Sequence, residues 1–146
     1  THRDPAKSVP SYASFVASLF PANVVARIGR ETIGREIHNH LLTGMKQAVA
    51  ARDALGPDRF IDVHHADFVA DPMAEIERIY AFLGLKLTPD VHARLLAWHD
   101  ENASGAHGAH RYSAEQYGLD ADAIRRDYAF YIERFGVACG PTAKGA

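Results

Sequence analysis

The 146 residues, 47% hydrophobic and 23% charged, have the make-up of one ordinary globular domain able to bury its own core. A formal net charge of −2 excludes a global positive field for nucleic acid or an anionic membrane, so any bound anion must be caught locally. The single cysteine, Cys139, excludes an intramolecular disulfide and a cysteine-rich zinc site and suits the reducing cytoplasm, and no apolar run reaches membrane-spanning length.

The chain opens at Thr1, without an initiator methionine, directly on His2-Arg3-Asp4-Pro5. This reads as a strand end followed by a helix start, and a strand needs partners, so an N-terminal part is expected to precede it. Asp4 is a good cap and Pro5 a favoured first helical residue. That helix should run through Ser8, Ser11 and Phe15 to about Leu19, bent early by Pro10. Pro21-Ala22-Asn23 then breaks the chain.

From Thr32 to about Leu55, Ile33, Ile37, Leu41, Met45 and Val49 recur every four residues and predict an amphipathic helix. Gly56-Pro57-Asp58 ends it. Phe60-Ile61-Asp62-Val63-His64 alternates in the β manner and is the clearest strand in the chain. Asp71-Pro72 starts another helix, with Ile76, Ile79, Tyr80 and Leu83 as its inner face and Gly84 as its stop. Thr88-Pro89 opens a further one through Val91, Leu95 and Trp98, followed by a flexible loop over residues 102–108. Ser113 with Gln116 forms a capping-box pattern. A last helix is expected from about Asp120 to Phe135, with Ile124, Tyr128, Tyr131 and Phe135 inward, and then a disordered tail over residues 140–146. Tyr12, Phe15, Trp98, Tyr128 and Tyr131 read as core.

Five or six helices accompany one strand, which cannot satisfy its own backbone. The pattern implies an α/β class: helices packed on a parallel sheet whose other strands lie upstream, with residues 1–139 as the C-terminal part of a single domain.

The first segment also carries chemistry. A helix N-terminus offers free amides and a positive dipole end to a phosphate. Arg3 can grip phosphate oxygens with a bidentate fork. Lys7 and Ser11, four residues apart, share a helix face, and Ser8 lies one residue off it.

His2-Arg3-Asp4-Pro5, with Ser11 eight residues after the arginine, resembles the 3′-phosphate-binding motif of sulfotransferases that use 3′-phosphoadenosine-5′-phosphosulfate (PAPS). Residues 63–72 are similar to that family's strand followed by Tyr-Glu-Asp-Leu, a spacer and a proline, and residues 76–85 to its helix ending in Phe-Leu-Gly. Residues 107–119 resemble the His-Arg-Tyr-Ser…Phe-Gly-Leu signature of bacterial members, with Tyr117 in place of phenylalanine. The resemblance implies a P-loop-like, three-layer α/β fold, seen here as a mostly helical C-terminal portion. It implies sulfuryl transfer from PAPS to a hydroxyl or amine of a small-molecule acceptor, without a metal.

By that resemblance Arg3 and Ser11 hold the 3′-phosphate, Ser8 and Lys7 assist, and Arg111, with His110 second to it, closes over the phosphate. His65 stands where the family has a tyrosine near the adenine, and Ala66 replaces its acidic neighbour. The family's 5′-phosphosulfate loop and its usual catalytic histidine are expected upstream of Thr1, so no catalytic base is assigned, His2 being the nearest by position. The chain is expected to be inactive alone.

Three other readings of these residues are open. Nine histidines suggest a metal-dependent hydrolase, but His38 and His40 point to different helix faces, and His64 and His65 to opposite strand faces. His2-Arg3-Asp4 resembles a kinase catalytic loop, yet Val9 occupies the position that needs asparagine. A non-catalytic helical module that binds a partner protein is the third class, and an orphan strand edge would favour homodimers.

Overall fold

The computed structural model describes residues 1–102 and 112–140, and helices supply most of its regular structure. In chain order these are α1 (Pro5–Ser18), α2 (Ala22–Ile28), α3 (Arg30–Leu55), α4 (His65–Ala70), α5 (Pro72–Phe82), α6 (Pro89–Glu101), α7 (Ala121–Asp127) and α8 (Ala129–Phe135). Single 3-10 turns occupy Pro57–Arg59 and Glu115–Tyr117. The described chain divides into two compact units, one holding Thr1 with residues 61–102 and the other residues 2–60 and 112–140.

The larger unit is built on α1, α3, α7 and α8. The Asp4 carboxylate caps α1 by accepting the Ala6 N–H at 2.9 Å, as the Asp-Pro start predicts. The inward stripe of α1 consists of small residues, Ala6, Val9, Pro10, Ala13, Ser14 and Ala17, which let it lie close against α3. Val9, Ala13, Tyr117, Ile124, Tyr128 and Tyr131 are the most deeply buried hydrophobic side chains of this unit. Along α3 the expected stripe holds: Ile33 is buried, and Ile37, Leu41 and Met45 pack half-buried against the core.

Three expectations for this unit are corrected. Pro21 does not simply break the chain: its carbonyl accepts from Val24 and Val25 and starts α2. The last helix is divided at Tyr128, whose φ of −100° and ψ of 13° separate α7 from α8. Tyr12 and Phe15 are not core; Phe15 is 52% exposed. α1 carries two apolar stripes, and the one with small side chains allows the closer helix contact, so it goes inward.

The expected strand over Phe60–His64 does not form, and no β-ladder longer than one residue occurs among the described residues. The backbone at Phe60 and His64 is extended (φ −131°, ψ 140° and φ −84°, ψ 133°). Alternation sets that extension, but a strand also needs a hydrogen-bonded neighbour, which no local pattern supplies. The chain turns instead into α4 at His65. α5 is capped by Asp71, which accepts the Ala74 N–H at 3.0 Å. Its buried Glu75 receives two hydrogen bonds from Arg78, at 2.7 and 2.6 Å. Leu83 and Trp98, both expected inside, are exposed, Trp98 by 63%.

Among the described residues, two buried polar atoms, His38 Nδ1 and the Tyr128 hydroxyl, have no hydrogen-bond partner. His38 Nε2 is satisfied by Asp127 at 2.9 Å, and the two rings meet edge-on at 5.8 Å. Burial pushes the Tyr128 phenol up to about 12, helped by the nearby Asp127 charge. The folded value lies above the unfolded one of 10.0, so this stability is intact below pH 10 and is lost as pH rises through about 12. Tyr128→Phe is therefore expected to be neutral or stabilising by about 1 kcal/mol at pH 7. It should also flatten the fall in melting midpoint between pH 10 and 12; a variant with the wild-type alkaline profile would contradict this assignment.

Candidate functional site

The outward face of α1 holds Lys7, Ser8, Ser11, Tyr12 and Phe15, the complement of its buried stripe. Lys7 is exposed, while Ser8 and Ser11 are half-buried. Arg3 precedes the cap and is exposed, and its guanidinium makes no hydrogen bond or ion pair among the described residues. Lys7 and Ser11, one helical turn apart, share this face as their spacing requires.

The expectation of free amides at this helix start is overturned. Pro5 has no N–H, the Ala6 N–H goes to Asp4 Oδ1, and those of Lys7 and Ser8 go to the Asp4 carbonyl at 3.0 and 3.1 Å. The Ser8 hydroxyl also donates to that carbonyl, at 3.2 Å. The Arg3 N–H donates to the Tyr131 hydroxyl at 3.3 Å. An anion arriving here would therefore be held by side chains, with Arg3, Lys7 and Ser11 the donors within the larger unit.

The residues that hold this face in place come from distant parts of the chain. His2 is buried, with Nδ1 3.2 Å from the Tyr131 hydroxyl and its ring stacked on Phe135 at 4.4 Å. The Tyr112 hydroxyl donates to the Lys7 carbonyl at 3.3 Å, so the tyrosine of the His-Arg-Tyr-Ser stretch docks on α1. Ser113 caps the following 3-10 turn by accepting the Gln116 N–H, as its spacing predicts. Arg125 reaches back from α7 to the Asp4 carboxylate, Nη2 to Oδ2 at 2.6 Å, and to the Gly140 carbonyl. Its hydrogen bond to Asp4 outweighs desolvation and raises the guanidinium above its ordinary value.

No local pattern in the sequence ties Arg125, Tyr112 or Tyr131 to the start of α1. A buried acidic cap asks for a compensating cation, but helix periodicity cannot say that it stands 121 positions away.

The remaining candidates lie elsewhere. His65 is the first residue of α4, half-buried, in the smaller unit. Arg111 and His110 fall outside the described residues, as does the tail beyond Gly140. A cleft of about 700 Å³ opens beside α2, lined among others by Phe20, Val25, Arg30, Thr32 and Gln116, and includes none of Arg3, Lys7, Ser8 or Ser11. Among the described residues, no three histidine, cysteine, aspartate or glutamate side chains gather as a metal-binding group. No helix among them is long and apolar enough to cross a membrane.

Residues 1–90 match the sulfotransferase family, and the chain belongs to it. Among solved structures, the crystal structure of sulfotransferase STF9 from Mycobacterium avium matches with a TM-score of 0.79 and 24% sequence identity. The match covers 94% of this chain and 35% of that one, so this chain has the fold of a portion of STF9 and spans little more than a third of its length. No curated protein matches. The family match includes Arg3, Lys7, Ser8, Ser11 and His65 but not Arg111.

Proposed function

We propose that this chain supplies the 3′-phosphate-binding part of a sulfotransferase that moves a sulfuryl group from PAPS to a hydroxyl or amine acceptor. The observation that carries the reading is the Arg3 guanidinium, unpartnered among the described residues, standing ahead of the Lys7–Ser11 face of α1 inside the segment that matches the family. The fork of Arg3 suits two phosphate oxygens, the Lys7 amine adds a point charge, and the Ser11 hydroxyl donates one hydrogen bond. With the first-turn amides committed, side chains rather than backbone amides carry the grip.

In this reading residues 1–139 form part of one sulfotransferase domain. His65 contacts the adenine and Arg111 closes over the phosphate. In the transfer the sulfur–oxygen bond to the donor's phosphate breaks as one to the acceptor's oxygen or nitrogen forms, and the acceptor's proton leaves to a base this chain is not assigned. The grip on the 3′-phosphate anchors the donor away from the reacting sulfur, and such remote binding orients the group that reacts. The single cysteine favours a reducing, cytoplasmic setting.

Calorimetric titration with 3′-phosphoadenosine-5′-phosphate tests the assignment. Ser11→Ala removes one hydrogen bond to a charged group and is expected to weaken binding by roughly tenfold. Affinity equal to wild type would remove Ser11 from the site.

A further inference from the structure

We propose that Arg125 is a positioning residue for the phosphate-binding face of α1, acting by occupying the Asp4 carboxylate; the inference rests on the 3′-phosphate reading above. Asp4 organises the start of α1 through both its carboxylate and its carbonyl, which together take the Ala6, Lys7 and Ser8 amides and the Ser8 hydroxyl. It therefore cannot be dispensed with. Yet its carboxylate is a negative charge one residue from Arg3 and three from Lys7, the spacing at which an acid and a base on one helix normally pair. Left alone, that charge would repel an incoming phosphate and draw away the two cations meant to hold it.

Neither cation is drawn away. Asp4 is buried, and Arg125 covers it from the α7 side through Nη2 at 2.6 Å and Nε at 3.4 Å. Arg125 is itself fixed by Asp122 at 3.9 Å and by the Gly140 carbonyl. Lys7 also lies against Gly140, where an added Cβ would come within 3.1 Å of Nζ. With the carboxylate neutralised from below, Arg3 and Lys7 remain exposed and without an acidic partner among the described residues. The distant arginine keeps the near one available.

The test is titration of the protein with 3′-phosphoadenosine-5′-phosphate, with folding checked by a cooperative thermal transition. Arg125→Gln should weaken binding by roughly tenfold, because an uncompensated carboxylate then faces the phosphate. Asp4→Asn with Arg125→Gln should restore affinity to within about threefold of wild type, since asparagine caps a helix as well as aspartate does. Asp4→Asn alone should bind more tightly than wild type, which keeps the test decisive if Arg125→Gln does not fold. A single Arg125→Gln variant that binds as wild type, a double variant as weak as the single, or an Asp4→Asn variant with no gain would each overturn the proposal and leave Arg125 a tether. Wild-type protein that does not bind the bisphosphate would overturn the phosphate reading itself and this inference with it, before any substitution is made.

Discussion

Gly34→Ala is expected to destabilise the protein by about 3 kcal/mol or more, lowering its melting midpoint by roughly 10 °C. Helix propensity predicts the opposite sign, since alanine is favoured over glycine inside a helix by about 1 kcal/mol. Contact decides. A Cβ at Gly34 would lie 2.1 Å from the Tyr117 carbonyl oxygen and 2.8 Å from the Tyr117 Cβ, so α3 and the 3-10 turn must separate. Tyr117 cannot step aside: it is buried, its hydroxyl accepts from Arg30 Nη1 at 2.8 Å, and its N–H is held by the Ala114 carbonyl. The same helix contains the control. Gly44 has nothing within 4 Å of its added Cβ, so Gly44→Ala should stabilise by up to about 1 kcal/mol. Urea unfolding of both variants reads the difference, and equal effects at the two sites would show that the α3–Tyr117 approach does not constrain the fold.

Arg3→Ala should separate binding from stability. Its guanidinium is exposed and unpartnered among the described residues, so the melting midpoint without ligand should stay within a degree or two of wild type. Affinity for 3′-phosphoadenosine-5′-phosphate should fall by roughly tenfold to a hundredfold, the range for losing hydrogen bonds to a charged group in a site with no amides in reserve. Arg3→Lys keeps the charge but not the fork and should fall between. A loss of stability equal to the loss of affinity would mean that Arg3 holds the fold rather than a ligand.

What the sequence made legible follows from the range of each interaction. Asp4-Pro5, Asp71-Pro72, Thr88-Pro89 and Ser113…Gln116 all act within four residues, and each caps or starts the element it announces. The α3 stripe is a single-helix property and holds as well. The failures needed partners. Phe60–His64 has a strand's alternation without a ladder, and on α1 Phe15 and Tyr12 lost the inward position to Val9 and Ala13 because α3 approaches so closely. For the candidate site, spacing and resemblance point to Arg3, Lys7 and Ser11. The first-turn amides are taken up locally by Asp4, a detail of cap geometry, whereas the support from Arg125, Tyr112 and Tyr131 depends on contacts across more than a hundred residues of chain.

Thermal unfolding in two nucleotides shows whether the side chains at the start of α1 recognise a 3′-phosphate. At about a hundredfold excess over the dissociation constant, 3′-phosphoadenosine-5′-phosphate should raise the midpoint by roughly 5–10 °C. AMP, which lacks only the 3′-phosphate, should leave it unmoved, and the shift should vanish in Arg3→Ala. Equal responses to the two nucleotides, or a shift that survives in Arg3→Ala, would contradict the account.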